Sequence, residues 1–414
     1  MLVCSFFPIH ILGQPNDPVA REAAKAWKQG NIPTLGKLAP KIKDKNARHY
    51  GLFLYTYVRG QYQETLKHYT LIDPQFAGHK TLGPPVLQAH LHLGKYEEAR
   101  VFAVKRKMSK TQQVVLKMRA EEPLAVELNK TTEIAFAKHP LTPYFPAFAA
   151  TLNGKKVLAH VDTGGAFLHM GKERAEKLGI KLIEAGKGKH ATKTVNAYFG
   201  IAKSFQLGDA ELTNVPVVVL PTLKGSQDFV IFGTNVLEQF LSTLDYPRKR
   251  LVLSPRKNTE LRKEHERRFA QGVEVPFYLW DDHYMFARGG LSNAKSLNFF
   301  VDSGLVSLHF DTKSGKVRQA AFWGTTSLYE SCGVPKELLE KKVFELPLPL
   351  SLGTLKQEGL FVLNKKKAIL STLGGVDIHG LISHTFLSRY TWTIDFDQRK
   401  YFFTDPTLKN SDRQ

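Results

Sequence analysis

Val157-Leu-Ala-His-Val161 runs straight into Asp162-Thr163-Gly164-Gly165, and Leu297-Asn-Phe-Phe-Val301 runs the same way into Asp302-Ser303-Gly304-Leu305. Each stretch reads as an apolar strand ending on an acidic turn, where glycine lets the chain turn with no side chain in the way. A lone Asp-Thr-Gly decides little, because it describes any strand-to-turn corner. The rest of each unit decides more. The first goes on to Val230-Ile-Phe-Gly233, Leu237 and Leu244-Asp245-Tyr246; the second goes on to Gly380-Leu-Ile-Ser383, Leu387 and Ile394-Asp395-Phe396. The acidic turns stand 140 residues apart and every later partner 150 apart. A duplicated unit with ten extra residues in its second copy explains both spacings.

A strand ending in Asp-Thr/Ser-Gly, an apolar-apolar-Gly strand feeding a short helix, and a terminal Asp-aromatic strand together resemble the aspartic proteases. The resemblance covers roughly residues 140 to 405. It implies two compact retropepsin-like lobes in one chain, as in the pepsin arrangement, each giving one acidic turn to a shared cleft. It also implies that Asp162 and Asp302 are the catalytic pair, that Thr163 and Ser303 bond across to the opposing turn, and that Gly164 and Gly304 support the same loops. The pairs Ile231-Phe232 and Leu381-Ile382 would pack beneath them, and a flap would close over the cleft, around His190 to Gly200 in the first lobe. Ser383 departs from the pattern, which has Gly there; it costs little unless φ is positive. Gly165 and Leu305 supply no outer hydroxyl of the kind pepsin-like enzymes often have.

The chemistry asks for such doubling. Hydrolysis of a peptide bond without a covalent intermediate needs one group to take a proton from water and another to give one to the carbonyl oxygen. Two carboxyls about 3 Å apart cannot both ionise, so they share a proton and titrate as a pair. Both lie in this one chain, so a monomer suffices for catalysis. The expected activity is that of an aspartic endopeptidase acting on polypeptide substrates, its rival a catalytically silent peptide-binding or scaffold protein on the same fold.

Ahead of this region the texture is helical, from about Asp17 to Lys130. Gly60-Gln-Tyr62-Gln-Glu-Thr65 recurs as Gly94-Lys-Tyr96-Glu-Glu-Ala99, a spacing of 34 residues, the period of a tetratricopeptide array. The segment resembles such repeats, with Thr65 in place of the usual small Ala and only a weak third copy at Gly30. Repeats of this kind supply a surface for protein partners. The fold class expected is therefore multidomain α + all-β: residues 1–16 a signal peptide or apolar arm, 17–135 a tetratricopeptide-like helical domain, 140–256 and 273–405 two β lobes joined by a charged linker at 257–272, and 406–414 a tail.

Composition bounds these readings. The chain has 414 residues, enough for two to four domains at roughly 100 to 200 residues each. With 43% hydrophobic and 23% charged residues it reads as globular rather than disordered. Cys4 and Cys332 alone exclude a disulfide framework and a Cys-rich zinc module. No run of 18 apolar residues gives a spanning helix. Leu2 to Gly13 has the length of a secretory h-region without its basic n-region, so a periplasmic or secreted location follows if it is a signal peptide and a cytoplasmic one otherwise. The net charge of +20 raises nucleic acid as a partner, but Ser254 to Arg268 mixes both signs and reads as a solvated face. No phosphate-binding loop or nucleophile elbow occurs, and His379 and His384 lack a third ligand at metal spacing, so no cofactor or metal is expected. Asp245 and Asp395 read as structural turn residues, His160 as a satisfied or exposed histidine, and Trp280, Trp323 and Trp392 as packing of the second lobe.

Overall fold

The structure, a computed structural model, describes residues 17–190, 193–219, 229–292, 296–311 and 315–405. The Leu2 to Gly13 stretch and the 406–414 tail lie outside them. The chain forms two compact units. One takes the residues through Pro123 together with Tyr278–Tyr284 and Leu370–Ile378; the other takes Leu124–Phe277, Met285–Ile369 and the chain from His379.

The first unit is helical. Its helices are Pro18–Lys28, Ile32–Leu38, Lys45–Val58, Tyr62–Thr70, Gly83–His92, Tyr96–Lys105 and Lys110–Glu121; the first three and the last start where a side chain satisfies free backbone N–H groups. The carboxylates of Asp17 and Asp44 accept from Val19 N–H at 2.9 Å and Ala47 N–H at 2.8 Å, and Ser109 closes a capping box with Gln112. Three helices end the same way, on Gly30, Gly60 and Gly94 at φ 63°, 74° and 69°. The next N–H reaches back over five residues in each case, Asn31 to Ala26, Gln61 to Thr56 and Lys95 to His90. These are Schellman turns, which need the left-handed conformation that glycine adopts without strain. Thr65 is as fully buried as Ala99; its hydroxyl is accommodated because its one proton has two acceptors within reach, Gln61 O at 3.0 Å and Thr56 Oγ1 at 3.0 Å.

Trp280 differs from its expected place. Its ring belongs to the helical unit, where it packs 5.9 Å from Trp27 and 5.1 Å edge-on to Tyr57, while Trp27 Nε1 donates to Gly374 O at 2.9 Å. The strand pattern around it shows that its ring is buried, but the partners that bury it are some 220 to 250 residues away. Trp392 packs in the β-rich unit, parallel to Phe403.

The β-rich unit runs its strands twice in one order. In the first half Ala210–Val219, Leu168–Met170, Phe229–Gly233, Lys155–Asp162 and Ala147–Leu152 are neighbours in that sequence; in the second, Phe361–Lys365, Phe322–Thr325, Gly380–Ile382, Leu297–Val301 and Tyr284–Leu291 are. Both halves place the strand ending on the acidic turn parallel to the apolar-apolar strand, with Val161 opposite Phe232 and Val301 opposite Ile382. Parallel pairs are buried on both faces and read as continuous apolar runs, as Leu297–Val301 is along its whole length. Between the halves Thr391–Asp395 pairs antiparallel with Phe240–Asp245, and Lys400–Thr404 and Arg250–Pro255 flank that pair. The charged stretch before residue 272 is a helix, Thr259–Phe269, that buries His265 and Phe269; its Arg262 bonds Asp395 and Asp397.

Candidate active site

Each acidic turn is built by its own backbone. Asp162 and Asp302 follow directly on buried strand residues, and in each case the carboxylate Oδ1 accepts from the glycine two residues on, Gly164 N–H at 2.7 Å and Gly304 N–H at 3.0 Å. The aspartates sit in partly exposed positions, while Thr163 and Ser303 between them are fully buried.

The two turns are locked face to face. Thr163 N–H donates to Ser303 Oγ at 3.0 Å and Ser303 N–H donates to Thr163 Oγ1 at 2.9 Å. The Thr163 hydroxyl donates in turn to Val301 O at 3.0 Å, and Thr234 Oγ1 donates to Thr163 O at 2.8 Å. A hydroxyl can accept and donate at once, which is why Thr and Ser serve here. Each glycine is required by the opposing carboxyl: a Cβ on Gly164 would lie 2.4 Å from Asp302 Cγ, and one on Gly304 would lie 2.1 Å from Asp162 Cγ.

Burial, the neighbouring Asp162 carboxyl and a hydrogen bond to it push Asp302 well above the ordinary carboxylate range. Ionising both carboxyls would put two like charges side by side. The arrangement can therefore hold one base and one acid within reach of the same small molecule.

Of the residues expected beneath the turns, Phe232, Leu381 and Ile382 are buried, but Ile231 is only half-buried, on the opposite face of its strand from Val230 and Phe232, and Val230 is the buried residue beside Phe232. Gly233 and Ser383 occupy equivalent positions, both on extended backbone of negative φ. Asp245 and Asp395 are not at this site. Each is fully buried and held by arginine, Asp245 by Arg250 Nε at 2.8 Å and Asp395 by Arg262. His160 is buried with Nδ1 donating to Phe145 O at 2.9 Å, and His384 Nε2 donates to Pro143 O at 3.1 Å. Among the described residues no three His, Cys, Asp or Glu side chains are grouped to hold a metal ion, and no helix is long and apolar enough to cross a membrane. The hairpin Ile183–His190 and Lys193–Leu207 stands where a flap was expected, its turn lying outside the described residues.

One contact near the first turn had no sequence signal. His169 Nε2 accepts from Ala166 N–H at 3.0 Å, so the ring's proton sits on Nδ1. A Cβ on Gly165 would lie 3.2 Å from that ring nitrogen and 3.6 Å from Asp162 Oδ2. Only its place opposite Ile231 in the strand pairing brings His169 to the turn.

Residues 148–236 match the aspartyl protease family model. The match contains the first acidic turn and its support strand, and gives general support for aspartic protease activity. A solved structure described as a retropepsin-like aspartic protease from Rickettsia conorii is similar at 25% identity, over 32% of this chain and 95% of its own, with a TM-score of 0.25. No curated protein matches the chain.

Proposed function

We propose that the chain is an aspartic endopeptidase whose catalytic pair is Asp162 and Asp302, carried on two retropepsin-like lobes. The observation that carries this reading is the reciprocal exchange of hydrogen bonds between Thr163 and Ser303, which brings two acidic turns 140 residues apart in sequence to one point. Its mechanism follows from the shared proton. A water between the carboxyls loses a proton to the ionised one as its oxygen bonds to the scissile carbonyl carbon, while the protonated one gives its proton to the carbonyl oxygen. The resulting gem-diol collapses as the amide nitrogen takes the proton that the first carboxyl gained, one diol hydroxyl returns its proton to the second carboxylate, and the C–N bond breaks, which releases a carboxylic acid and an amine and restores the pair. Gly164 and Gly304 keep the space between the carboxyls clear, and the Thr163 and Ser303 hydroxyls keep the turns from separating.

The helical unit is read as tetratricopeptide-like, supported by its three Schellman turns and the buried Thr65 and Ala99. Its role is to bind a protein partner or to position substrate.

The test is cleavage of a disordered polypeptide across pH 3 to 8 by the wild-type chain and by Asp162→Asn and Asp302→Asn. Each variant should lose at least about a thousandfold in rate, since residues that act as a unit fail together, with circular dichroism unchanged. Cleavage that survives either substitution overturns the reading. A folded wild-type chain that binds the polypeptide without cutting it leaves the silent binder instead.

A further inference from the structure

The two halves differ most just after their acidic turns. In the first, the chain passes quickly from Asp162 to Leu168–Met170, whose His169 faces Ile231 of the support strand. In the second, the matching residue is Trp323, opposite Leu381, and the chain before it makes an additional hairpin of Leu308–Asp311 and Lys316–Gln319. Among the described residues this hairpin pairs with no other strand.

Its two faces have different chemistry. On one, the His309 ring lies 5.7 Å from Phe361, and Arg318 stacks 4.5 Å over the same ring while reaching Glu345 at 3.4 Å. On the other, Phe310 stands directly opposite Val317, with Leu308 two residues away on the same side. These three are 66%, 43% and 39% exposed. Every other exposed large apolar residue among those described lies in the helical unit. Single exposed apolar residues are ordinary, but three on one face of one hairpin mark a surface that meets something.

The base of the hairpin is tied to the second acidic turn. Gln319 Nε2 donates to Leu305 O at 3.2 Å and to Tyr144 O at 3.3 Å, Ala320 N–H donates to Ser307 O at 3.1 Å, and Leu305 N–H donates to Asp302 O at 3.3 Å. Eight residues of extended chain span at most about 29 Å, so Phe310 stays within one extended substrate segment of Asp302.

We infer that the Leu308–Phe310–Val317 face is a docking surface for the polypeptide substrate, taking large aliphatic or aromatic side chains several residues away from the bond that is cut. This rests on the protease reading for the identity of the occupant. The hairpin's unpaired edges offer backbone N–H and C=O groups to an extended chain, and the apolar face supplies selectivity. It belongs to the second half alone, so the preference falls on one side of the cleft.

The experiment measures binding separately from cleavage. Fluorescence anisotropy on the full-length Asp302→Asn chain follows two labelled 20-residue disordered peptides, one carrying a Phe-Leu pair remote from its centre and one with Ser in those positions. Phe310→Ser, added to that background, should weaken the Phe-Leu peptide by about tenfold or more, as loss of a buried aromatic contact requires, and leave the Ser peptide unchanged. Val114→Ser, an exposed apolar position of the helical unit, should change neither. Equal binding with and without Phe310, or an equal loss from Val114→Ser, overturns the inference. So does a monomer–dimer equilibrium that Phe310→Ser abolishes, because the face would then meet a second copy. A Phe310-dependent affinity in a chain that cuts nothing keeps the docking surface and removes the protease. Aspartate-dependent cleavage with unchanged binding removes the docking surface alone.

Discussion

Thr243 and Thr393 stand directly opposite each other where Phe240–Asp245 pairs antiparallel with Thr391–Asp395, their hydroxyls 2.5 Å apart. Facing residues of an antiparallel pair are related by a local twofold axis, and these two occupy equivalent positions of the repeated sequence. The bond continues on one side only. Thr243 Oγ1 also meets His265 Nε2 at 2.7 Å, and His265 Nδ1 meets Ser254 Oγ at 2.7 Å. Thr243→Val would keep the shape and strand two buried partners, at about 1–3 kcal/mol. Urea denaturation followed by tryptophan fluorescence should show that loss, and a stability equal to wild type would mean that the chain of bonds contributes nothing.

Acid should weaken the fold. Burial lowers His265 to about 3 and His160 and His384 to about 4, against 6.5 for an ordinary histidine. Between pH 6.5 and about 4 the unfolded chain takes up protons that the folded chain refuses. Stability therefore falls with falling pH across that window, by up to roughly 1.4 kcal/mol per pH unit for each histidine. Urea midpoints measured at pH 7, 6, 5 and 4 should decline steadily, and a flat series would contradict the burial of these rings.

Gly233 and Ser383 have nearly the same backbone, φ −105° and −102°, yet only one position has room for a side chain. A Cβ on Gly233 would fall 1.5 Å from Ala166 O. At Ser383 the hydroxyl donates to Ala320 O at 2.6 Å and accepts from Thr385 N–H at 3.2 Å. Gly233→Ala should prevent folding or cost more than about 4 kcal/mol, whereas Ser383→Gly should cost about 1 kcal/mol and leave an intact fold. Thermal melts of the two variants check this, and a folded, stable Gly233→Ala chain would refute it.

These residues also show how far sequence reaches. The acidic turns stood out because Asp-Thr/Ser-Gly follows an apolar strand twice and the support strands recur at one spacing, but what demands the glycines, the carboxyl of the opposing turn, was not legible. Nor was the reason for glycine at 233: the sequence suggests positive φ as the constraint, while the structure shows a distance to a carbonyl on another loop. Trp280 lies in an ordinary strand pattern, Val273 to Trp280, and periodicity reports that it is buried without reporting by what. The hairpin Leu308–Gln319 escaped notice because its alternation looks like any other strand, and the repeat spacing gives only the presence of extra residues in the second copy.

Trp280→Ala tests the helical unit. Its ring fills the space between Trp27 and Tyr57, and Tyr57 and His92 both bond Asp281 O beside it. Emptying that site should cost about 3–5 kcal/mol. Hydrogen exchange should rise first in Pro18–Lys28 and Lys45–Val58, which carry the two aromatic partners. Unchanged protection in these helices would mean that the ring is not their anchor.

Thr163→Val and Thr163→Ser separate the hydroxyl's work from the side chain's volume. Valine keeps the shape but strands Ser303 N–H and Val301 O in a buried place, at about 1–3 kcal/mol for each group. It also frees the two turns to drift, so the carboxyls lose the alignment that a shared water requires, and displacements of about 1 Å are enough to cost a hundredfold in rate. Serine retains the oxygen and should keep most of the stability and activity. Cleavage rates and urea midpoints measured together on both variants distinguish the cases: a valine variant as active as the serine one would show that the cross-turn bonds do not hold the carboxyls in register.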